Sequence, residues 1–412
     1  MKTKSRREFL KQTGIFAASA GWIPKSPKQS GEANEKIEAP TGYSSCDPWI
    51  EVDCRKIAFN IGQIRKKVKG RRIMAVLKCN AYGHGLVEVA KYVEQLPIYG
   101  FAVGKLSEAV RLRAAGIECP VLNLGPFSEN EAKTIISQDI SQSVYTEEVV
   151  SLDTEARKLN RKARIHYKID TGLGRVGVPH YKAIDFIEKV SRLEHIEVEG
   201  TFQSFSEDPE FDKTQLERFL SLVGKAKGKG HPLGLLHASA STAIFRYDES
   251  FYLDMVRPGI ALYGHYPTKE EHQLKRMELR PALAALKTRA AYVKTLRSGD
   301  SLSYFRKFTA LKPERIVTAS LGYSDGVPLN LAKGATALIR GRKFPFICDV
   351  SANHSYLQVT GHEDIDAGDE ITLIGSQNGK SCSLWDLSQA TGISDYKILI
   401  GLNPDLKRVY FG

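Results

Sequence analysis

Apolar and polar positions change rhythm along this chain. From about residue 48 to residue 280, short runs rich in Val, Ile, Leu, Ala and Tyr alternate with longer stretches whose apolar positions recur at i, i+3 and i+4. The short runs are 73–78, 99–104, 120–125, 141–146, 164–170, 196–204, 234–239 and 259–264, and each reads as a buried strand. LSEAVRLRAAG (106–116) and DKTQLERFLSLVGKAK (212–227) are two of the helical patterns between them. Eight strands alternating with helices predict a (β/α)8 barrel, with its chemistry at the C-terminal ends of the strands. The competing reading is an open doubly wound sheet, which wants a Gly-rich phosphate loop after its first strand; none is there. After Pro281, β-rich segments separated by turn residues take over, among them RIVTASLGY (315–323) and EITLIG (370–375). They predict a second, mostly antiparallel β domain over 281–412, following a barrel over 48–280.

The first 47 residues do not share this texture. Residues 1–20 hold paired arginines before a short apolar segment and Ala18-Ser19-Ala20 in an A-x-A cleavage pattern. Ser5 to Lys11 (SRREFLK) resembles a twin-arginine export signal, which predicts a periplasmic protein. Residues 21–47, with few apolar side chains, read as a disordered linker. Without residues 1–20 the formal charge falls from +12 to +8, spread along the chain with no basic run interleaved with aromatics. A nucleic-acid surface is therefore not expected, whereas small anionic ligands suit the charge. No apolar run approaches the ~18 residues of a membrane span. The six cysteines show no CxxC or Cys/His metal spacing, so no metal is expected, and any pairing among them stays open.

Candidate chemistry begins at AVLKCNAYGHG, Ala75 to Gly85, where an apolar strand ends on Lys78. A buried ammonium costs free energy unless something uses it. A pocket lysine with a desolvated amine forms Schiff bases with aldehydes such as pyridoxal phosphate and can then move a proton. The glycines around His84 are expected to let the backbone approach a ligand. Other strand ends carry matching parts. HYKIDTGLGRVG places Lys168 and Arg175 around a Gly-rich turn, where a guanidinium can hold a carboxylate. HASAST ends the seventh strand with Ser239, Ser241 and Thr242, hydroxyls suited to a phosphate. VRPGIALYG puts Arg257 before the expected eighth strand, with the Gly259 and Ile260 amides behind it. Taken singly, each has a bland alternative: a surface ion pair for Arg175, a helix cap for Ser241, a structural turn for Arg257.

Together these segments resemble the alanine racemase family of fold type III pyridoxal-phosphate enzymes, over about Pro48 to Tyr410. AVLKCNAYGHG, KIDTGLGRVG, RPGIALYG, LSYFRKFTA and LGYSDGVP stand in the family's order. The resemblance implies a racemase interconverting L- and D-alanine, and further amino acids as well, with pyridoxal 5'-phosphate as cofactor. It implies that Lys78 carries the cofactor and is the base on the D face. Tyr304 would be the base on the L face, reaching in from a partner subunit, so a homodimer with shared active sites is expected. Tyr82, Ser241, Gly259 and Ile260 would hold the phosphate, and Arg257 would face the pyridine nitrogen. Arg175, Tyr323 and the Ala352 amide would serve the substrate. Lys168 aligns with a lysine that is carbamylated in many relatives.

The chain departs from the family at three places. Ser204 stands where a histidine usually links the cofactor arginine to the catalytic tyrosine, whose free pKa is about 10. Ala352-Asn353-His354 replaces Met-Asp-Gln, and Asn403-Pro404 replaces a tyrosine that narrows the substrate entrance. The last change implies a substrate range beyond alanine. The alternative function is a catalytically degenerate cofactor- or ligand-binding protein on the same scaffold, against which the retention of Lys78 and Tyr304 counts.

Overall fold

The computed structural model describes residues 46–412; the export signal and most of the linker lie outside the described residues. Eight parallel strands close a barrel: Arg72–Val76, Gly100–Val103, Val121–Asn123, Ser141–Val144, Ala163–Asp170, Ile196–Phe202, Leu235–Ala240 and Met255–Arg257. Closure is made by Met255 and Val256 pairing with Arg72 and Ile73. Most residues of these strands are buried on both faces, the first half of Ile196–Phe202 being the main exception, which explains their continuous apolar runs.

Seven of the eight expected strands are present. The eighth is not at 259–264. The strand is the shorter Met255–Arg257, and Ile260–Tyr263 is a 3-10 turn ended by the left-handed Gly264. Pro258 has no N–H to continue a ladder, so the strand stops before it. Arg257 therefore ends the strand instead of preceding it, and its side chain starts from the barrel mouth.

Helix formation follows local signals. Asp53 caps Cys54–Lys67 by accepting from the Arg55 amide, and Ile57, Asn60, Ile61 and Ile64 form its buried stripe. Buried Asn60 ties this helix to the turn after the eighth strand and to the start of the second domain: its Nδ2 donates to the Leu262 and Arg280 carbonyls at 3.0 and 2.9 Å. Pro209 opens the 20-residue helix Pro209–Gly228 behind the Asp208 cap.

The second domain is built on the 14-residue strand Leu283–Leu296, which pairs antiparallel with Trp49–Asp53, Glu314–Ala319 and Glu370–Gln377. Trp49–Asp53 precedes the barrel in sequence yet lies in this sheet, where it also pairs in parallel with the last strand, Lys407–Phe411. The two ends of the folded chain thus meet beside each other. Two helices, Leu384–Thr391 and Asp395–Gly401, leave the sheet and face the barrel mouth.

Candidate active site

Lys78 follows the first barrel strand. The next four residues, Cys79, Asn80, Ala81 and Tyr82, all carry side chains and all have left-handed backbones, with φ of 57°, 56°, 52° and 52°. Each such residue costs roughly 1–2 kcal/mol, so the turn persists only because its surroundings hold it. Buried Glu108 accepts from the Asn80 amide (3.1 Å) and the Gly104 amide (3.0 Å), and Asn80 Oδ1 accepts from Leu86 N (2.9 Å). The turn aims Lys78 into a cavity of about 600 Å³ between the barrel mouth and the two helices of the second domain. There Nζ lies 6.0 Å from the Tyr82 ring centre and 5.9 Å from that of Tyr396.

The glycines of this segment do not make room for a ligand. A Cβ on Gly83 would lie 2.1 Å from the Leu399 carbonyl oxygen, and one on Gly85 would lie 1.9 Å from the Tyr410 hydroxyl. They let the second domain press against the lysine turn. His84 is likewise structural: fully buried, stacked on Tyr263, its Nδ1 2.9 Å from the Tyr82 carbonyl.

On the cavity floor, buried Arg257 is held by three contacts. Nη1 lies 2.7 Å from His237 Nδ1, and Nη2 donates to the carbonyls of Gln203 (2.8 Å) and Ala238 (3.0 Å). Burial lowers its pKa to about 9, which still leaves it cationic at neutral pH. His237 continues to His166 at 2.9 Å, and His166 to Glu199 at 3.6 Å, so a polar chain runs through the barrel interior. Burial first, then Arg257, holds His237 well below its usual range. Lys168, buried above the same floor, donates to Ser204 (2.8 Å); burial and then Arg257 and Arg175 hold its amine far below the ordinary lysine range.

Of the three hydroxyls expected at a phosphate, one is placed for it. Ser241 Oγ accepts from the Gly259 and Ala261 amides at 3.0 and 3.3 Å and lines the cavity with Gly259, Ile260 and Tyr82. Ser239 instead donates to the Phe251 carbonyl, and Thr242, although on the cavity wall, donates to Glu207. Arg175 also lines the cavity, exposed on the Gly-rich loop after the fifth barrel strand. Tyr396, Trp385 and Asp395 complete the wall from the second domain, and sequence reasoning missed them. The capping Ser394 before Asp395 signals a helix inside the mostly β stretch.

Three expected site residues do not reach this cavity. Tyr304 stands 77% exposed on the tip between the short strands Ser301–Leu302 and Phe308–Thr309. Tyr323 is 50% exposed, and the Ala352 carbonyl receives the Ser324 amide at 3.0 Å, so both lie on one surface of the second domain. Asn353 and Asn403 share that surface, since both side chains donate to Ser324.

Comparison with known proteins gives this geometry a context. Residues 52–267 match the alanine racemase N-terminal domain, and residues 283–410 match the alanine racemase C-terminal domain. An alanine racemase of Clostridium tetani is 34% identical over 369 residues, spanning 88% of this chain and 95% of that protein. Among solved structures, alanine racemase of Clostridium difficile 630 superposes with a TM-score of 0.82 at 31% identity, covering 88% of this chain and 95% of that one. A histidine racemase of Leuconostoc mesenteroides gives 0.79 at 26% identity, covering 89% and 98%. A lysine-bearing barrel of this kind is a pyridoxal-phosphate-dependent racemase. The chain belongs to the alanine racemase family.

The residues present fit that cofactor. A lysine amine for its aldehyde, a hydroxyl among backbone amides for its phosphate and a buried guanidinium for its ring line one cavity. Gly259 adds a steric observation: a Cβ there would lie 2.2 Å from the Tyr82 hydroxyl, so only glycine lets that hydroxyl reach the cup.

The buried imidazoles make stability depend on pH. His84 is lowered to about 3 by burial, and His237 is lowered too, while unfolded imidazoles protonate near 6.5. Below about pH 6.5 the unfolded chain therefore binds protons that the folded chain refuses, and stability falls by about 1.4 kcal/mol per pH unit for each group. Denaturant midpoints between pH 7 and pH 5 should decline, and His84→Gln should make the decline shallower by about one proton; parallel slopes would contradict this assignment.

Proposed function

We propose that the chain racemises amino acids with a different base on each face of the α-carbon: Lys78 of one subunit and Tyr304 of a second copy. The observation that carries this reading is the division of the site. Lys78, Arg257, Ser241 and Arg175 line one cavity, whereas Tyr304 stands out from the surface of its own chain. A tyrosine with 77% of its surface exposed, beside Phe305 with 94%, is what a second copy would cover.

Pyridoxal phosphate, when bound, supplies the electron sink that makes an α-proton removable. Ser241, Tyr82, Gly259 and Ile260 would hold its phosphate, the Gly259 amide exchanging its present bond to Ser241 for one to the phosphate. Arg257 faces its ring; a guanidinium still charged at neutral pH is a poor acid, so it orients without giving up a proton. Arg175 takes the substrate carboxylate, assisted across the interface by Tyr323 and the Ala352 amide. Lys78 Nζ takes or returns the proton on one face and the Tyr304 hydroxyl on the other, which is the minimum for inverting a centre. Position 204, where relatives carry the linking histidine, is a serine here, and its hydroxyl accepts from Lys168 instead.

The substrate range extends beyond alanine. Asn403 and Pro404 replace the tyrosine that narrows the entrance in relatives, and one solved neighbour is a histidine racemase. The test is α-deuteration in deuterium oxide and loss of optical rotation, measured with cofactor for alanine, methionine, histidine, lysine and arginine. Alanine and at least one longer amino acid should exchange and racemise; exchange of alanine alone removes the wider range. Bound cofactor with no exchange supports the second reading, a ligand-binding protein.

The enzyme is exported to the periplasm. Ser5 to Lys11 carries the twin-arginine pattern, and that route moves folded proteins, so the chain can load cofactor in the cytoplasm before leaving it. Changing Arg6 and Arg7 together to lysine should leave the protein in the cytoplasmic fraction; unchanged fractionation would refute export by this route.

A further inference from the structure

The cofactor lysine is held from behind by the far end of the chain. In the last strand, Lys407–Phe411, alternate side chains share a face, and Arg408 and Tyr410 both reach the turn that follows Lys78. Arg408 Nε donates to the Gly83 carbonyl at 2.9 Å, and the Tyr410 hydroxyl donates to the His84 carbonyl at 3.0 Å. The same guanidinium reaches the carbonyls of Pro404 (2.7 Å), Leu406 (2.7 Å) and Asn403 (3.1 Å). One planar fork therefore ties two segments together: the lysine turn and residues 403–406, whose Asn403 side chain belongs to the Ser324 surface.

The fit leaves no slack. Gly83 and Gly85 have no space for a Cβ against Leu399 and Tyr410, so the second domain touches the turn along its backbone. From the barrel side, Glu108 holds the Asn80 amide. A left-handed run of four residues with side chains is thus gripped from both sides, at Asn80 by the first domain and at Gly83 and His84 by the second. Rotation of this turn would swing the whole length of the Lys78 side chain away from its cavity.

We infer that Arg408 is a positioning residue for Lys78, supported by Tyr410, and that it makes the direction of the lysine amine depend on the docked C-terminal strand. The entrance segment 403–406 and the amine then move as one body. This rests on the reading of Lys78 as the cofactor lysine. Arg408→Lys does not reproduce the fork: an ammonium's three donors radiate from one nitrogen on a flexible stem, whereas Arg408 reaches Gly83 through Nε and the carbonyls of Asn403, Pro404 and Leu406 through Nη1 and Nη2.

The experiment uses the full chain as wild type, Arg408→Gln, Arg408→Lys and Tyr410→Phe. Three quantities are read: affinity for pyridoxal phosphate, the pH midpoint of the absorbance of the lysine-bound cofactor, and hydrogen exchange of the amides of residues 79–85 without cofactor. Hydrogen bonds from a charged donor are each worth about a factor of ten or more, so losing those of Arg408 to the turn in Arg408→Gln should weaken cofactor binding about tenfold. It should also move the pH midpoint and speed exchange in 79–85 more than elsewhere in the barrel. Arg408→Lys should restore less than half of the lost affinity, and Tyr410→Phe should show the same pattern more weakly. Folded Arg408→Gln with wild-type affinity, midpoint and local exchange overturns the inference, and so does a lowered melting temperature with those three unchanged. If Arg408→Gln does not fold, Tyr410→Phe decides by the same criteria. If borohydride reduction of the wild type leaves no cofactor on Lys78, the racemase reading fails, and exchange in 79–85 still decides whether Arg408 holds the turn.

Discussion

Between Lys78 and Gly83 the backbone turns in the left-handed sense through four residues that all carry side chains. At roughly 1–2 kcal/mol each, such a turn does not persist unaided, and everything around it serves as its restraint. Glu108 meets the Asn80 amide, Arg408 and Tyr410 meet the carbonyls of Gly83 and His84, and two glycines remove the side chains that would keep the domains apart. The result is a lysine projected into a cavity that both domains line. The two-domain architecture is therefore part of the site: a barrel alone would leave the turn held on one side only.

Beneath the lysine, charge is arranged by burial. Arg257, His237, His166 and Glu199 form a connected row through the barrel, with Lys168 beside it. Desolvation keeps His237 neutral, so Arg257 meets an uncharged neighbour there, and burial together with Arg257 and Arg175 disfavours the ammonium of Lys168. A buried guanidinium needs polar partners more than opposite charge, and two carbonyls and an imidazole meet that need. With Nη1 and Nη2 so engaged, its plane is fixed at the cavity floor.

Much of this was legible in the sequence because buried parallel strands read as continuous apolar runs and the lysine, arginine and Arg-Pro-Gly motifs sit at their ends. Where the reading failed, the cause is physical. Met255–Arg257 is too short to show a period, while the apolar GIALYG beside it fits strand or helical turn equally well. Trp49–Asp53 looks like any strand, and nothing local says that its partners lie more than two hundred residues away. Gly83 and Gly85 signal close approach, but the sequence cannot say whether a ligand or another domain approaches. Ser239, Ser241 and Thr242 are alike in sequence and differ only in which group each meets. Glu108 offered a signal that passed unread, a carboxylate on the buried face of an amphipathic helix.

In the proposed racemase each cavity is completed by the tyrosine of another copy. Mixing two inactive variants, Lys78→Ala and Tyr304→Phe, after dissociation and reassociation tests it directly. Random pairing makes half of the dimers mixed, each with one cavity that has both bases, so about a quarter of wild-type activity should return. If the mixture stays as inactive as its components while mixed dimers are shown to form, the two bases do not meet across subunits and the account is wrong.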